Sequence, residues 1–278
     1  MIAKIGNNES KVSFEIGESA PLAFILGPCV IEGRDFLLDH ASEVVKIRQE
    51  FPEFNFVFKS SYDKANRTSL NNFRGLGIDE GLKILEEVRR DFEIPVITDV
   101  HTEAEVAIAS EVVDIVQIPA FLCRQTDLLS AAGKTDKAVL VKKGQFLHPQ
   151  DMKYAAEKVE EAGGKNILLC ERGSCFGYRD LVVDFRGLML MRELGYPVVF
   201  DVTHSVQSMG GAGGKSSGNR KFVEPLARAG VAFGADALFL ECHRSPDGAP
   251  SDGPNMITFE TLRKLLTDIA GSKRGKLF

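Results

Sequence analysis

Four residues of this chain carry atoms that bind divalent metal ions: Cys29, His204, Glu241 and Asp252. A thiolate, an imidazole and two carboxylates form a donor set of mixed softness. It suits zinc or ferrous iron and admits manganese or cobalt, and donor type alone does not choose among them. Far apart in sequence, the four make a site only if a fold gathers them. A second group is cationic: Lys59, Lys64, Arg67, Arg124, Lys142, Lys143 and Arg172 each stand at or just past the end of an apolar run. The chain as a whole has a formal net charge of −5, which argues against general nucleic-acid binding. An acidic protein that sets its cations along one rim is arranged for small anions, phosphates or carboxylates. Cations from two or three different elements hold a phosphate far better than one does.

Eight short apolar runs must position these groups: Leu22–Val30, Phe54–Lys59, Pro95–Val100, Val113–Pro119, Ala138–Val141, Asn166–Cys170, Pro197–Val202 and Ala237–Leu240. Mostly helical stretches separate them, the pattern of strands alternating with helices around a parallel sheet. Ligands of such folds bind at the carboxyl ends of the strands. Cys29 ends the first strand, His204 the seventh and Glu241 the eighth, and Asp252 follows the eighth. An open doubly wound sheet would disperse them. In a closed barrel strands seven, eight and one are neighbours, so the four side chains converge. The expected fold is therefore a (β/α)8 TIM barrel. Such a barrel takes roughly 250 residues, so the 278 residues are expected to form one domain, 1–278. Residues 1–20 are expected to add an N-terminal hairpin, with strands near Ala3–Ile5 and Val12–Ile16 joined by Gly-Asn-Asn.

Helices are expected over Phe36–Gln49, Asp79–Phe92, Pro149–Glu161, Arg179–Leu194, Lys221–Ala229 and Thr258–Ile269. A short one runs to Ser110 behind a capping box of Thr102 and Glu105. Two loops are unusually long, Ser60–Ile78 and Ser205–Arg220. The second, MGGAGGKSSGNR, approaches a phosphate-binding P-loop, but Met209 stands where that motif needs glycine. A lid is the better expectation. Period-two alternation puts Lys59, Ser61 and Asp63 on one face, gives Asp99 and His101 the same parity, and turns only one of Lys142 and Lys143 inward. Five cysteines without a Cys-x-x-Cys pair point to a reducing compartment. The longest apolar run, Pro21–Ile31, is too short for a bilayer, which takes roughly 20 residues. A cytoplasmic location without membrane attachment is expected.

KANRTS (Lys64–Ser69), TDVH (Thr98–His101), QIPAFLCRQTDL (Gln117–Leu128), VKKGQF (Val141–Phe146), CERG (Cys170–Gly173), FDVTH (Phe200–His204) and SDGPN (Ser251–Asn255) stand in order along the chain. Together they resemble the 3-deoxy-D-manno-octulosonate 8-phosphate synthase family, from about Gly27 to Asn255. The resemblance implies condensation of phosphoenolpyruvate with arabinose 5-phosphate and water, releasing inorganic phosphate, to supply a sugar of bacterial lipopolysaccharide. It implies a (β/α)8 barrel that is commonly a homotetramer. The metal-independent branch of that family has asparagine where Cys29 stands, so this chain resembles the metal-dependent branch, with one divalent ion on Cys29, His204, Glu241 and Asp252.

By the same resemblance Lys59, Ser61, Lys64, Lys142 and Arg172 surround phosphoenolpyruvate. The backbone of Ala120 and the side chain of Arg124 help with phosphate, and Gln117 joins the substrate-binding set. Asn66, Arg67 and Thr68 hold arabinose 5-phosphate, the last two at its phosphate. Phe121 and Arg124 lie on a loop near a subunit interface in this family. Asp99 and His204 are the expected proton handlers, and Lys142 serves by binding anion, since no Schiff base is required. A related synthase using erythrose 4-phosphate shares the barrel and the metal-ligand types. Its second-strand loop typically reads Lys-Pro-Arg-Thr-Ser, whereas this chain has Lys64-Ala65-Asn66-Arg67-Thr68-Ser69. A metal-dependent pyruvate aldolase would not release phosphate.

Overall fold

The computed structural model describes residues 1–6, 12–66, 72–176, 180–212 and 215–271, with only the backbone described for 209–212 and 215–216. The expected hairpin turn at Asn7-Asn8 and the candidate site residues Arg67 and Thr68 lie outside the described residues. An antiparallel pair, β1 (Ile2–Ile5) and β2 (Phe14–Gly17), opens the chain. Eight parallel strands follow: β3 (Ala23–Gly27), β4 (Asn55–Lys59), β5 (Val96–Asp99), β6 (Ile115–Ile118), β7 (Ala138–Lys142), β8 (Ile167–Glu171), β9 (Val198–Asp201) and β12 (Ala237–Glu241). They close in sequence order because β12 pairs with both β9 and β3. This is the expected (β/α)8 barrel with its N-terminal hairpin. The outer layer holds α1 (Arg34–Glu50), α2 (Ile78–Phe92), α3 (Glu103–Ser110), α4 (Thr126–Gly133), α5 (Met152–Glu161), α6 (Arg186–Arg192), α8 (Val223–Ala232) and α9 (Phe259–Gly271). A four-residue turn of helix, α7 (Val202–Ser205), follows β9.

Strand alternation divides the core in two. One parity packs outward against the helices, as Phe24, Leu26, Phe56, Phe58, Val139 and Val141 do. The other fills the barrel with Ala23, Ile25, Val57, Ile97, Ile115, Leu140, Leu168, Val199 and Phe239. Ala3, Ile5 and Ile16 of the hairpin join that inner cluster and are fully buried, so the hairpin plugs the amino end of the barrel. Polar groups are thereby left to the carboxyl end.

Three segments depart from the sequence reading. The helix expected over Arg179–Leu194 starts only at Arg186; Arg179 itself lies outside the described residues. Val182 and Ser174 instead exchange backbone hydrogen bonds of 3.0 and 2.9 Å, which pairs Val182 as a bridge rather than within a helix. The glycine-rich stretch expected as a loop forms a hairpin, β10 (Gln207–Ala212) with β11 (Lys215–Gly218). Its ladder is backbone pairing without alternating apolar side chains, so it leaves no hydrophobic period to read. Helix α4 was not singled out from the sequence at all.

One glycine is imposed by closeness. At Gly27, with φ at 154°, an added Cβ would sit 2.0 Å from the Lys59 carbonyl oxygen. Gly27→Ala should therefore push β3 from β4 beneath Cys29 and Lys59. We expect a stability loss of about 1–3 kcal/mol in chemical denaturation, the usual range for overpacking. An unchanged denaturation midpoint would contradict this account.

Candidate active site

One turn above the apolar filling, the inward positions become polar: Lys59 on β4, Asp99 on β5, Gln117 on β6, Lys142 on β7, Asp201 on β9 and Glu241 on β12, all buried. Each follows an inner-core residue two places earlier on its own strand. Phe239 forms the floor. Its ring lies 3.5 Å from Lys142 Nζ, 5.7 Å from Lys59 Nζ and 5.9 Å, centroid to centroid, from His204. A cation above an aromatic face is attracted by the ring's quadrupole, most strongly where water is scarce.

On one side of this floor stands the donor set. Cys29, Glu241 and Asp252 place one ligand atom each within 4.8 Å of one another, a group that can hold a metal ion. Cys29 Sγ donates to Asp252 Oδ2 at 3.2 Å and lies 2.9 Å from Ser251 Oγ. His204 stands at the edge of the set, with Nε2 3.6 Å from Glu241 Oε1 and 3.9 Å from Asp252 Oδ2. It sits on α7 rather than at a strand end. Asp201 caps that turn, accepting from the His204 backbone N–H at 3.0 Å, and its Oδ2 lies 2.8 Å from the ring Nδ1. A carboxylate behind a histidine helps to orient its ring. The residues fit a cation on a further observation: Glu241 Oε2 is buried with no hydrogen-bond partner. Asp252 also takes a left-handed backbone conformation, with φ at 51°.

Burial pushes the Cys29 thiol well up, and the nearby Glu241 and Asp252 charges add to this against Lys64 and Lys59. Without a metal, Cys29 is therefore a thiol. A divalent ion inverts that balance, because the bound ligand is the thiolate and its proton must leave. For Glu241, burial works to raise the carboxyl, but Lys59, His204 and Lys64 outweigh it and hold it below its usual range. Lys59 Nζ donates to Glu241 Oε1 at 2.5 Å and to the Cys29 carbonyl at 2.8 Å.

Facing this set is an anion-receptive side. Arg172 is buried, and its Nη1 has no partner. Its Nη2 donates to Gln207 Oε1 at 3.1 Å, while Gln207 Nε2 donates to Asp252 Oδ1 at 2.9 Å. The first residue of the β10–β11 hairpin thus ties this guanidinium to the donor set. Gln117 Oε1 is likewise buried and unpartnered. Lys142 donates to Asp201. Burial disfavours the Lys64 charge, but the nearby carboxylates of Glu241, Asp99 and Asp252 favour it, and its affinity for the proton lies above that of an ordinary lysine. Lys143 turns away as its parity requires, reaching the Gly173 carbonyl at 3.3 Å and Ser174 Oγ at 3.2 Å. Asp99 accepts from Ser61 and lies 3.2 Å from His101 Nε2.

Other expected residues stand apart. Asn66, Phe121 and Arg124 are exposed and Ala120 is half-buried, all on loops beyond the strand ends. Among the described residues, no hydrogen bond joins the side chains of Asn66 or Arg124 to the buried set. Sequence reasoning passed over Asp201 and Gln207. Asp201 had a signal, being the next inward position after Val199 on its strand. Gln207 had none, since its place depends on the hairpin.

A parallel barrel with buried cations, carboxylates and a thiol at its carboxyl end belongs to the enzyme-bearing class of TIM barrels. The model of the DAHP synthetase I family matches residues 3–273, and the chain belongs to that family. Among its relatives is a Synechococcus protein named 2-dehydro-3-deoxyphosphooctonate aldolase, 57% identical over 96% of this chain and 92% of its own length. Proteins of the same name from Rickettsia bellii and a Cyanothece species are 56% and 54% identical. They cover 92% and 91% of this chain, and 93% of their own lengths in each case.

Lys142 and Asp201 form a buried ion pair, with side chains 6% and 0% exposed. Removing one partner strands the other charge, which typically costs about 3–5 kcal/mol. We therefore expect Lys142→Met to lose stability of that order in chemical denaturation, and Lys142→Met with Asp201→Asn to lose less than the single variant. A double variant weaker than the single would count against the pairing.

Proposed function

We propose that this chain condenses phosphoenolpyruvate with D-arabinose 5-phosphate and water. The products are 3-deoxy-D-manno-octulosonate 8-phosphate and inorganic phosphate. The observation that carries this reading is Arg172 Nη1, a buried guanidinium nitrogen left without a partner, while Nη2 of the same group is joined through Gln207 to Asp252 of the Cys29, Glu241 and Asp252 set. Relatives more than half identical over nine-tenths of the chain are named for 2-dehydro-3-deoxyphosphooctonate, the same class of eight-carbon 3-deoxy keto acid phosphate.

In this reading Lys59, Lys64, Lys142 and Arg172 neutralise the carboxylate and phosphate of phosphoenolpyruvate, and Ser61 and Gln117 hydrogen-bond it. That pins its C3 at attack distance from the sugar aldehyde. C3 forms the new bond to the aldehyde carbon, water adds at C2, and phosphate leaves by C–O cleavage. Charge that develops at C2 and at the aldehyde oxygen meets groups already aimed at it. Asp99 and His204 hold or move the protons. Lys142 serves as an anion binder, positioned by Asp201 and the Phe239 face. A divalent ion on Cys29, Glu241, Asp252 and His204 would supply Lewis acidity toward the aldehyde or the attacking water. Asn66, Arg67 and Thr68 would hold the sugar phosphate. Ala120, Phe121 and Arg124 would act at the rim, at a subunit boundary of a homotetramer. The setting would be cytoplasmic lipopolysaccharide synthesis by a single barrel domain. Among the described residues no helix is long and apolar enough to cross a membrane.

The erythrose 4-phosphate reaction is the second reading, since the family model is described as a DAHP synthetase family. Asn66, with the extra residue it brings to the loop, favours the longer sugar.

Phosphate release from phosphoenolpyruvate is the assay. We expect release with arabinose 5-phosphate, its loss after proven metal removal, and its return with zinc, ferrous, manganese or cobalt ions. Release untouched by metal removal would keep the reaction and defeat the metal role, while release with erythrose 4-phosphate alone would favour the second reading. In the same assay Arg172→Met should raise KM for phosphoenolpyruvate at least roughly tenfold, the loss expected when a charge-assisted anion contact disappears. A native KM would remove Arg172 from the anion site.

A further inference from the structure

Helix α3 carries a carboxylate that its own cap does not use. Thr102 Oγ1 accepts from the Glu105 backbone N–H at 3.3 Å, half of the capping box read from the sequence. The Glu105 side chain does not return the bond to Thr102. Its Oε2 instead accepts from the His101 backbone N–H at 2.9 Å and from the Tyr62 hydroxyl, and lies 3.0 Å from His101 Nδ1. The opposite ring nitrogen, Nε2, lies 3.2 Å from Asp99 Oδ2. Ionised carboxylates only accept, so the ring faces both carboxylates favourably only when both of its nitrogens carry protons. The ring is thus clamped between two carboxylates, with Tyr62 edge-on at 6.1 Å. The other Asp99 oxygen accepts from Ser61, which fixes that carboxylate at both ends.

We propose that Glu105 is a positioning residue of this site: it holds His101 as a doubly protonated bridge, and the bridge fixes Asp99 in its orientation toward the barrel mouth. The consequence for turnover rests on the reaction proposed above, whereas the clamp itself does not. The charged neighbours are consistent with it. Burial works against the His101 charge, but Asp99 and Glu105 outweigh it and raise its affinity for the proton. Burial and the Glu105 contact push the Tyr62 phenol far up, so it remains a donor. Lys64 and Lys59 act on Asp99 from the far side, and Arg74 acts on Glu105. Loss of the Glu105 charge should lower the proton affinity of His101, so that as pH rises the ring becomes neutral and faces Asp99 as an uncharged donor instead of an imidazolium. Asp99 would then keep its charge but lose the charged half of one of its two fixed contacts, and with it part of its fixed orientation.

The test begins without turnover. In the full chain labelled with 15N-histidine, the His101 ring signals are assigned by their loss in His101→Asn. The native ring should keep both protons well above the ordinary histidine value of about 6.5. In Glu105→Gln, which keeps the shape and an acceptor for Tyr62, it should lose one at lower pH than the native ring does. In the phosphate-release assay that variant should show kcat falling roughly tenfold with rising pH where the native profile is flat, the scale of one proton-transfer contribution. KM for both substrates should change little. A native His101 that titrates at the ordinary value, or a Glu105→Gln variant with the native profile, would overturn the proposal. If Glu105→Gln does not fold, the native titration decides alone. A native chain that releases no phosphate from either sugar would defeat the proposed reaction instead, with the ring titration still deciding the clamp.

Discussion

Four cations and four carboxylates share the barrel mouth, Lys59, Lys64, Lys142 and Arg172 against Asp99, Asp201, Glu241 and Asp252, and all but the half-buried Lys64 are buried. A buried charge without its counterpart is expensive, so no member of this set can be chosen independently of the others. The balance leaves the Cys29 thiol protonated, Glu241 with one spare oxygen and Arg172 with one spare nitrogen. A cation entering beside Cys29 and an anion entering beside Arg172 would each lower the electrostatic cost of the other. Such coupling is reciprocal by thermodynamic necessity.

Much of this was legible because a strand has a period of two. Val57 then Lys59, Ile97 then Asp99, Leu140 then Lys142, and Phe239 then Glu241 each step from the apolar filling to the polar rim along one inward face. A closed barrel brings strand ends distant in sequence side by side, which is how Cys29 and Glu241 come together beside Asp252. The same rule separated Lys142 from Lys143. It applies equally to Asp201, the next inward position after Val199.

What escaped the sequence depends on the backbone rather than on side-chain period. The β10–β11 hairpin is built from glycine, serine and lysine, and only its pairing brings Gln207 between Arg172 and Asp252. The late start of α6 follows from the bridge between Ser174 and Val182, a contact across eight positions that no local propensity encodes. Glu105 was read correctly as part of a helix start. Its side chain nevertheless serves His101, because the turn after β5 brings that ring closer than the cap.

The N-terminal hairpin has a consequence beyond packing. With Ala3, Ile5 and Ile16 sealing the lower end, the barrel is a vessel with one door. Whatever settles on the Phe239 floor must enter and leave by the carboxyl end. Two ligands that use such a vessel cannot exchange places: the deeper one has to arrive first, and it stays until the shallower one has left. Traffic order would then be a property of the plug, set at the end of the molecule farthest from the chemistry.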